Sequence, residues 1–282
     1  MNNKARPLLK CGLAAAATML VAACATPVRV VDRPSQELPW SAAIGRLDLE
    51  SVDARGSCSA TLVQPDVILT ASHCLYGRGS EIRIIDFSFT PALDAGRERL
   101  RPVPVAAVVA MGWPINPEKN WEENEPPILD WALLRLARRV DFLEPLRVEK
   151  LSVADIAKRI DSGATLSHAG FGVYGVGSGK RLQMRDKCQL LDDRQDKLRT
   201  GVEVIKNTCP VIQGDSGGPI LLTAADGTRS VVGIITNYWR SESGEEGASY
   251  GPSSLNFAGE LPAYAGNSGA LPAAAADTLS DP

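Results

Sequence analysis

Short apolar stretches separated by turn residues make up most of the chain from about residue 39 onward. Ala60–Val63 and Val67–Thr70 flank Gln64-Pro65-Asp66, which is the pattern of two strands joined by a short turn. Other apolar stretches of this first series predict strands at 82–89, 103–109 and 131–136. The first half of the chain is therefore predicted to be rich in strands.

A second series of apolar stretches follows Gly163, at 165–171, 189–191, 202–205, 219–222, 230–236 and 253–257. Many short strands at such spacing predict an all-β barrel or sandwich. Between the two series, Ser152 and Asp155 have the spacing of a capping box and predict a helix over 152–160. This helix is expected to connect two β-rich halves.

The ends of the chain differ from this central region. A basic stretch precedes an apolar run of 13 residues, 11–23. This run is too short to span a bilayer of about 30 Å, so residues 1–23 are predicted to be a secretory signal peptide. Residues 24–38 have little periodicity and predict a tether. Residues 263–282 are rich in Ala, Gly, Ser and Asp and predict a disordered tail, which leaves one folded region over 39–262.

The signal peptide ends in Val21-Ala22-Ala23-Cys24, which resembles the lipobox of bacterial lipoproteins, where the cysteine becomes the lipid-modified first residue. The alternative is an ordinary cleavage site with Cys24 incidental. With Cys11 removed and Cys24 acylated, four cysteines remain, an even number that suits two disulfides in an oxidising compartment. Three pairings are possible, and the local ones join Cys58 to Cys74 and Cys188 to Cys209.

Composition excludes one class of function. The 282 residues carry a formal net charge of −3 and contain no basic run, so nucleic-acid binding has no support. No cluster of His, Cys and Asp has the spacing of metal ligands, so neither a metal nor an organic cofactor is implied.

The candidate chemistry is that of an activated serine. Such a hydroxyl needs a base within hydrogen-bond reach, and that base needs an orienting partner. Gly214-Asp215-Ser216-Gly217-Gly218 matches the nucleophile turn of the α/β-hydrolases, but that fold places its histidine after the serine, and no histidine follows Ser216. Subtilisin order fails because no aspartate upstream of His73 has the required strand–helix setting. The order His73, Asp130, Ser216 is that of chymotrypsin-like proteases.

The motifs around these residues resemble the same family. Thr70-Ala71-Ser72-His73-Cys74 is similar to its histidine motif, Asp130-Trp131-Ala132-Leu133-Leu134 to its aspartate strand, and Gly214–Pro219 to its serine motif. Pro39-Trp40 resembles the entry to the first barrel, and Cys58 stands where the family has the partner of the cysteine after the histidine. The resemblance covers about residues 37 to 260.

The resemblance implies two six-stranded antiparallel β-barrels, the first over about 39–150 and the second over about 162–262, with the active site in the cleft between them. It assigns the nucleophile to Ser216, the general base to His73 and the orienting acid to Asp130. The backbone N–H groups of Gly214 and Ser216 would form the oxyanion hole. The other histidine, His168, is expected to be a packed core residue, because the family has no base there.

The specificity pocket departs from the family pattern. Members that prefer basic residues carry an aspartate at the position of Pro210, which is followed here by Val211. Thr236, Asn237 and Tyr238 should line the pocket, and Tyr238 replaces a glycine of deep-pocket members. Because neither a basic nor an acidic preference has its counter-charge, the pocket is expected to be shallow and to take small or medium apolar residues.

Two further features lie near the predicted cleft. In members activated by proteolysis, a new N-terminus pairs with the aspartate before the nucleophile, here Asp215. The sequence predicts that either cleavage frees Val30 for this role or an internal cation such as Arg46 takes it. The segment 113–125 carries tryptophans and several glutamates and either favours basic residues further along the substrate or is a solvated surface loop.

Together these features predict a secreted, monomeric serine endopeptidase that acts on proteins or peptides. Lipid on Cys24 would anchor it to the bacterial cell envelope, on the periplasmic side of the outer membrane in a Gram-negative cell. One alternative is a catalytically dormant binding module on a protease scaffold, and another is an esterase or transacylase that uses the same three residues.

Overall fold

A computed structural model describes residues 28–31, 39–51, 55–75, 84–93, 100–112, 129–173, 179–191, 202–240 and 246–263. The predicted signal peptide with Cys24, the segment 113–125 and nearly all of the predicted tail lie outside these residues. Among the helices described, none combines the length and the apolar character needed to cross a membrane.

Six strands of the first half form a closed antiparallel barrel. In spatial order they are β2 (Ile44–Ser51), β3 (Arg55–Gln64), β4 (Val67–Thr70), β7 (Ala132–Leu136), β6 (Val103–Met111) and β5 (Ile84–Pro91). The β3–β4 pair turns at Pro65-Asp66, as the sequence predicts. Leu47, Leu62 and Phe89 are fully buried, because the inner faces of these strands meet in one apolar core.

The second half contains most of the remaining strands, all paired antiparallel. They are β8 (Thr165–Gly170), β9 (Leu182–Cys188), β10 (Val204–Asn207), β11 (Pro219–Thr223), β12 (Arg229–Ile234), β13 (Asn237–Arg240) and β14 (Glu246–Pro252). They are arranged in a five-stranded sheet, β1-β9-β8-β11-β12, where β1 is Val28–Val31, and a three-stranded sheet, β10-β14-β13.

The all-β fold class is confirmed, but the second half closes differently from the first. Six of its strands follow one another as β8-β9-β10-β14-β12-β11, and four of the six junctions are regular ladders. The other two are single bridges, Leu190↔Asn207 and Gly233↔Ser253. The predicted second barrel therefore corresponds to two sheets that are joined at two places by isolated pairs and extended by β1 and β13.

Strand β1 falls within the predicted tether. Its residues pair antiparallel with β9, from Val28↔Arg185 to Val31↔Leu182. The folded domain therefore begins before residue 39, because the exposed edge of β9 offers backbone partners to this short apolar segment.

Helix α1 (Val153–Asp161) connects the two halves where the sequence predicts a helix. The Ser152 hydroxyl accepts a hydrogen bond of 3.1 Å from the Asp155 N–H and so caps the first turn. Fully buried Ile156 packs the helix against the second half.

Two features join the elements that carry the candidate site. The halves meet where β2 and β3 approach β8, and one apolar core continues from Leu62 in the first half to Ala169 and Phe171 in the second. The disulfides Cys58–Cys74 and Cys188–Cys209 are both formed, which confirms the local pairing. The first of them links β3 to the turn that holds His73.

Candidate active site

His73 and Asp130 are brought together by the pairing of β4 with β7. His73 lies in a 3-10 turn, Ser72–Leu75, shortly after β4, and Asp130 lies just before β7. Because Thr70 pairs with Ala132, the residues that follow β4 and those that precede β7 share one end of the barrel. The result is a distance of 2.6 Å from His73 Nδ1 to Asp130 Oδ2.

The Asp130 carboxylate is fully buried and accepts hydrogen bonds at both oxygens. Besides the imidazole at Oδ2, Oδ1 receives the backbone N–H of His73 at 2.8 Å and the Ser72 hydroxyl at 2.9 Å. These contacts offset the loss of water around the acid. A carboxylate at Nδ1 favours the tautomer in which Nδ1 carries the proton, and in that tautomer Nε2 is the acceptor nitrogen.

Ser72 is a site residue that the sequence analysis did not single out. Its place directly before His73 was visible, but serine is common in turns, and no pattern indicated that its hydroxyl would face the aspartate.

Ser216 lies in the second of two consecutive tight turns. In the first turn the Asp215 N–H donates to the Ile212 carbonyl at 2.9 Å, and in the second the Gly218 N–H donates to the Asp215 carbonyl at 2.8 Å. Gly214 and Gly217 occupy the third positions with φ of 99° and 80°, as type II turns require. Only glycine adopts such angles without strain, which explains why the turns use it.

The second half presents Ser216 to the histidine turn through backbone contacts. The Ser59 N–H donates to the Ser216 carbonyl at 2.8 Å, and the Cys74 sulfur lies 3.9 Å from the same oxygen. Cys74 is the residue after His73 and is tied to Cys58, the residue before Ser59. The main chain of Ser216 therefore sits beside the turn that carries the imidazole.

The backbone N–H groups of Gly214 and Ser216 are oriented by hydrogen bonds that the carbonyl groups of the same peptide units accept. The Gln213 carbonyl accepts from the Val173 N–H at 2.7 Å, and the Asp215 carbonyl from the Gly218 N–H at 2.8 Å. In a planar trans peptide the N–H points opposite to the C=O. The N–H groups of Gly214 and Ser216 therefore point away from these partners.

The family of the chain follows from a comparison with known sequences. The family model described as Trypsin matches residues 28–256, which includes β1 and all three candidate residues. The chain belongs to the trypsin family of serine proteases.

Two relatives within this family are a trypsin-like protease of Streptomyces glaucescens and phenoloxidase-activating enzyme 1 of Spodoptera litura. The first is 27% identical over 195 residues, 64% of this chain and 64% of the relative. The second is 24% identical over 216 residues, 71% of this chain and 56% of the relative. The chain thus spans less than two thirds of the length of both.

Solved structures share the trypsin-family fold at lower identity. The protease Anisep from Arthrobacter nicotinovorans has a TM-score of 0.58 at 17% identity, covering 80% of this chain and 93% of that one. A Glu endopeptidase has a TM-score of 0.56 at 15% identity, covering 80% of this chain and 90% of that one. These likenesses support the chymotrypsin-like architecture described above.

Asp215 has a partner that the sequence analysis did not predict. Arg185 of β9 places a guanidinium nitrogen 3.1 Å from Asp215 Oδ2, and both side chains are fully buried. Of the two predicted alternatives, an internal cation does pair with Asp215, but it is Arg185 and not Arg46, whereas the cleavage that would free Val30 stays a prediction. Arg46 binds Asp48 at 3.0 Å and the Gly179 carbonyl at 3.1 Å, and Val30 lies in β1, paired with Gln183.

Burial dominates the titration of the groups around this pair. It raises the pKa of the Asp215 carboxyl to about 6, and the Arg185 charge opposes the rise. It lowers the pKa of His168 to about 3, and here Arg185 acts in the same direction. His168 lies opposite Arg185 across β8 and β9, fully buried and therefore neutral at neutral pH, which fits the expected core residue.

The predicted pocket residues lie before and after the nucleophile turns in the chain, and the second group follows Ile235, whose carbonyl accepts from the Gly217 N–H at 2.7 Å. Pro210 and Val211 are half-buried, directly between Cys209 and the first turn. Thr236 is buried and its hydroxyl donates to the Tyr250 carbonyl at 3.2 Å. Asn237 and Tyr238 begin β13, and the side chain of Tyr238 lies outside the described part.

The described residues contain two groups whose atoms are close enough to hold a metal. They are Cys58, His73 and Cys74, and His168, Cys188 and Cys209. All four cysteines are in disulfides, so their sulfurs are not thiolate ligands.

Proposed function

We propose that this chain is a serine endopeptidase in which Ser216, His73 and Asp130 form the catalytic triad. The observation that carries the proposal is the distance of 2.6 Å between His73 Nδ1 and Oδ2 of the buried Asp130. The turn that holds His73 also contacts the Ser216 backbone. In an imidazole oriented in this way, Nε2 is the nitrogen that accepts the hydroxyl proton of a catalytic serine.

The reaction proceeds in two acyl-transfer steps. Ser216 Oγ attacks the peptide carbonyl carbon while His73 Nε2 takes the hydroxyl proton. The imidazolium, stabilised by Asp130, then gives this proton to the leaving amine, and the C–N bond breaks to leave an acyl-enzyme. Water attacks the ester in the same manner, and its proton returns through His73 to Ser216.

The developing negative charge needs donors at the carbonyl oxygen. We assign this role to the N–H groups of Gly214 and Ser216, whose directions are fixed by the carbonyl contacts of Gln213 and Asp215. Losing one such donor lowers the rate by about 10²–10³-fold in serine proteases.

The pocket supports an apolar preference. Pro210, Val211, Thr236 and Asn237 carry no charge, so the described part of the pocket offers no counter-ion to a basic or acidic side chain. Profiling with a peptide library should find small or medium apolar residues before the scissile bond. Dominance of Lys, Arg or Glu there would contradict this assignment.

Turnover of a protein substrate tests the proposed function. The purified chain should hydrolyse casein or a library peptide, and Ser216→Ala and His73→Ala should each abolish the activity. A folded wild-type chain that cleaves no peptide would indicate the dormant binding module. Faster turnover of esters with no peptide cleavage would indicate an esterase or transacylase.

The pairing of Asp215 with Arg185 supports activity without N-terminal processing. The buried acid already has a cation at 3.1 Å, so a new amino group is not needed to neutralise it. Mass spectrometry of active material should find chains that still contain residues 28–31. Activity that appears only after cleavage at Arg29 would contradict this inference.

The location of the chain is a further proposal. Two disulfides fit an exported protein. We propose that the signal peptide is removed before Cys24, which then carries lipid and anchors a monomeric protease to the envelope. Intact mass of the cellular protein would show a diacylglycerol-type adduct, whereas an unmodified N-terminus would contradict the anchor.

A further inference from the structure

Ser59 connects the first barrel to two segments of the second half through one hydroxyl group. The residue lies in β3 and is fully buried. Its hydroxyl donates to the Gly214 carbonyl at 2.8 Å and accepts from the Phe171 N–H at 2.8 Å. Both the donor and the acceptor capacity of this buried group are therefore used across the interface.

The backbone of Ser59 makes two further contacts at the same place. Its N–H donates to the Ser216 carbonyl at 2.8 Å, and its carbonyl accepts from the Thr70 hydroxyl at 2.8 Å. Any residue except proline could keep the backbone contacts at this position. The hydroxyl contacts depend on serine.

The carbonyls of four consecutive peptides around the nucleophile each have a partner. Gln213 is bound by Val173, Gly214 by the Ser59 hydroxyl, Asp215 by Gly218 and Ser216 by the Ser59 N–H. Three of these partners are backbone groups that every sequence supplies. The Ser59 hydroxyl is the one side chain among them, and it holds the peptide that lies between the two proposed oxyanion donors.

We propose that Ser59 is a positioning residue that fixes the Gly214–Asp215 peptide and thereby the two N–H groups of the oxyanion hole. The proposal rests on the proposed function. Without the hydroxyl, the Gly214 carbonyl and the Phe171 N–H would be buried and unpaired, which is strongly unfavourable. Rotation of the Gly214–Asp215 peptide would give the Gly214 carbonyl another partner at the cost of the Asp215 N–H bond to Ile212, and it would turn the flanking N–H groups out of position.

The test compares Ser59→Ala with a matched control, Ser254→Ala. Ser254 is also fully buried, and its hydroxyl also accepts from a backbone N–H, that of Leu151 at 3.2 Å, and donates to a backbone carbonyl, that of Glu149 at 2.5 Å. Both variants thus lose the same kind of hydrogen bonds. Only Ser59 touches the nucleophile turns.

Kinetics and inhibitor binding are measured on both variants and on the wild-type chain. Ser59→Ala should lower kcat about 10- to 100-fold with KM nearly unchanged, because the loss falls on the charged transition state. A peptidyl trifluoromethyl ketone, which forms an anionic adduct with Ser216, should bind weaker by a similar factor. The matching peptidyl alcohol, which lacks the carbonyl, should bind as before.

Two results would overturn the proposal for Ser59. One is kcat within twofold of wild type, and the other is an equal loss of activity in Ser59→Ala and Ser254→Ala. If Ser59→Ala does not fold, Ser59→Gly removes the same hydroxyl and is judged by the same criteria. A wild-type chain that turns over no substrate would instead contradict the proposed function itself.

Discussion

Asp130 and Asp215 are both fully buried, one beside the histidine turn of the first barrel and the other within the nucleophile turns of the second half. Asp130 is compensated by neutral donors, a hydroxyl, a backbone N–H and an imidazole. Asp215 is compensated by the permanent charge of Arg185. In the proposed mechanism, the partner of Asp130 gains and loses a proton, whereas Asp215 only has to hold the chain in place.

The same contrast extends to the elements around each acid. The first barrel is joined by a ladder at each of its six junctions, the shortest having two residue pairs, and its candidate site residues follow from the pairing of β4 with β7. The two sheets of the second half are joined at two places by single bridges. There the nucleophile turns are held by Arg185 and by Ser59 from the opposite barrel. The second half therefore depends more on individual side chains.

Among the changes that test this comparison of the two acids, the largest effect is expected from Asp130→Asn. The amide would present an N–H group to His73 Nδ1 and so favour the tautomer with the proton on Nε2, where it cannot accept the serine proton. We expect kcat to fall by about 10⁴-fold with little change in KM. Steady-state kinetics on a peptide substrate measures it. A loss below tenfold would contradict the role given to Asp130.

The second effect concerns the fixed charge. Arg185→Met leaves Asp215 buried without a cation and should lower the free energy of unfolding by about 3–5 kcal/mol. Adding Asp215→Asn should restore part of this loss, because the uncompensated charge is removed. Urea titrations in a Ser216→Ala background, which prevents self-digestion, measure both. Equal stability of the single and double variants would show that the charge of Asp215 is not what Arg185 compensates.

The third effect is a pH dependence of the free energy of unfolding that arises from His168. This residue faces Arg185 and the Cys188–Cys209 disulfide. The folded pKa of about 3 lies below the unfolded value, so His168 stabilises the fold above about pH 6.5 and this contribution is lost as the pH falls toward 3. Asp215, with its folded pKa raised to about 6, has the opposite sign: its contribution is present below about pH 4 and is lost as the pH rises through 6.

Comparing the free energy of unfolding of His168→Met with that of the wild type separates the contribution of the histidine from that of Asp215. Between pH 7 and pH 5, the difference in this free energy should shift by about 2 kcal/mol in favour of the variant, since methionine takes up no proton in the unfolded chain. Urea titrations at the two pH values provide the comparison. A pH-independent difference would mean that His168 is not buried in its neutral form.

The smallest effect is expected from Ser72→Ala. Asp130 would lose one donor of three and keep the imidazole and the His73 N–H. We expect kcat/KM to fall by about 3- to 10-fold, which corresponds to roughly 0.6–1.4 kcal/mol. A loss as large as that of Asp130→Asn would mean that Ser72, rather than the aspartate, sets the orientation of His73.

Much of the fold and the central residues could be predicted from the sequence. The order of His73, Asp130 and Ser216, each in a characteristic motif, sufficed to indicate the family, and the alternation of apolar stretches with turns indicated the strands. Counting cysteines left three possible pairings, and the local one among them is the one that forms. The motifs and the strand pattern consist of residues that are close together in the chain, so a single sequence is enough to recognise them.

The supporting side chains could not be predicted, because their partners are distant in the chain. Ser59 lies 155 residues from Gly214, and no local pattern marks its hydroxyl. In β9, polar Gln183 and Arg185 alternate with apolar Leu182 and Met184, which is typical of a strand with one face in solvent. Both faces are buried here, because the nucleophile turn brings Asp215 onto the polar one.

Covalent labelling tests the central claim most directly. The wild-type chain is incubated with diisopropyl fluorophosphate, and the modified residue is mapped by peptide mass spectrometry. We predict a single phosphoryl adduct on Ser216, absent from His73→Ala and Ser216→Ala under the same conditions. A folded wild-type chain without an adduct, or labelling of Ser216 that persists in His73→Ala at an equal rate, would contradict an imidazole-activated serine.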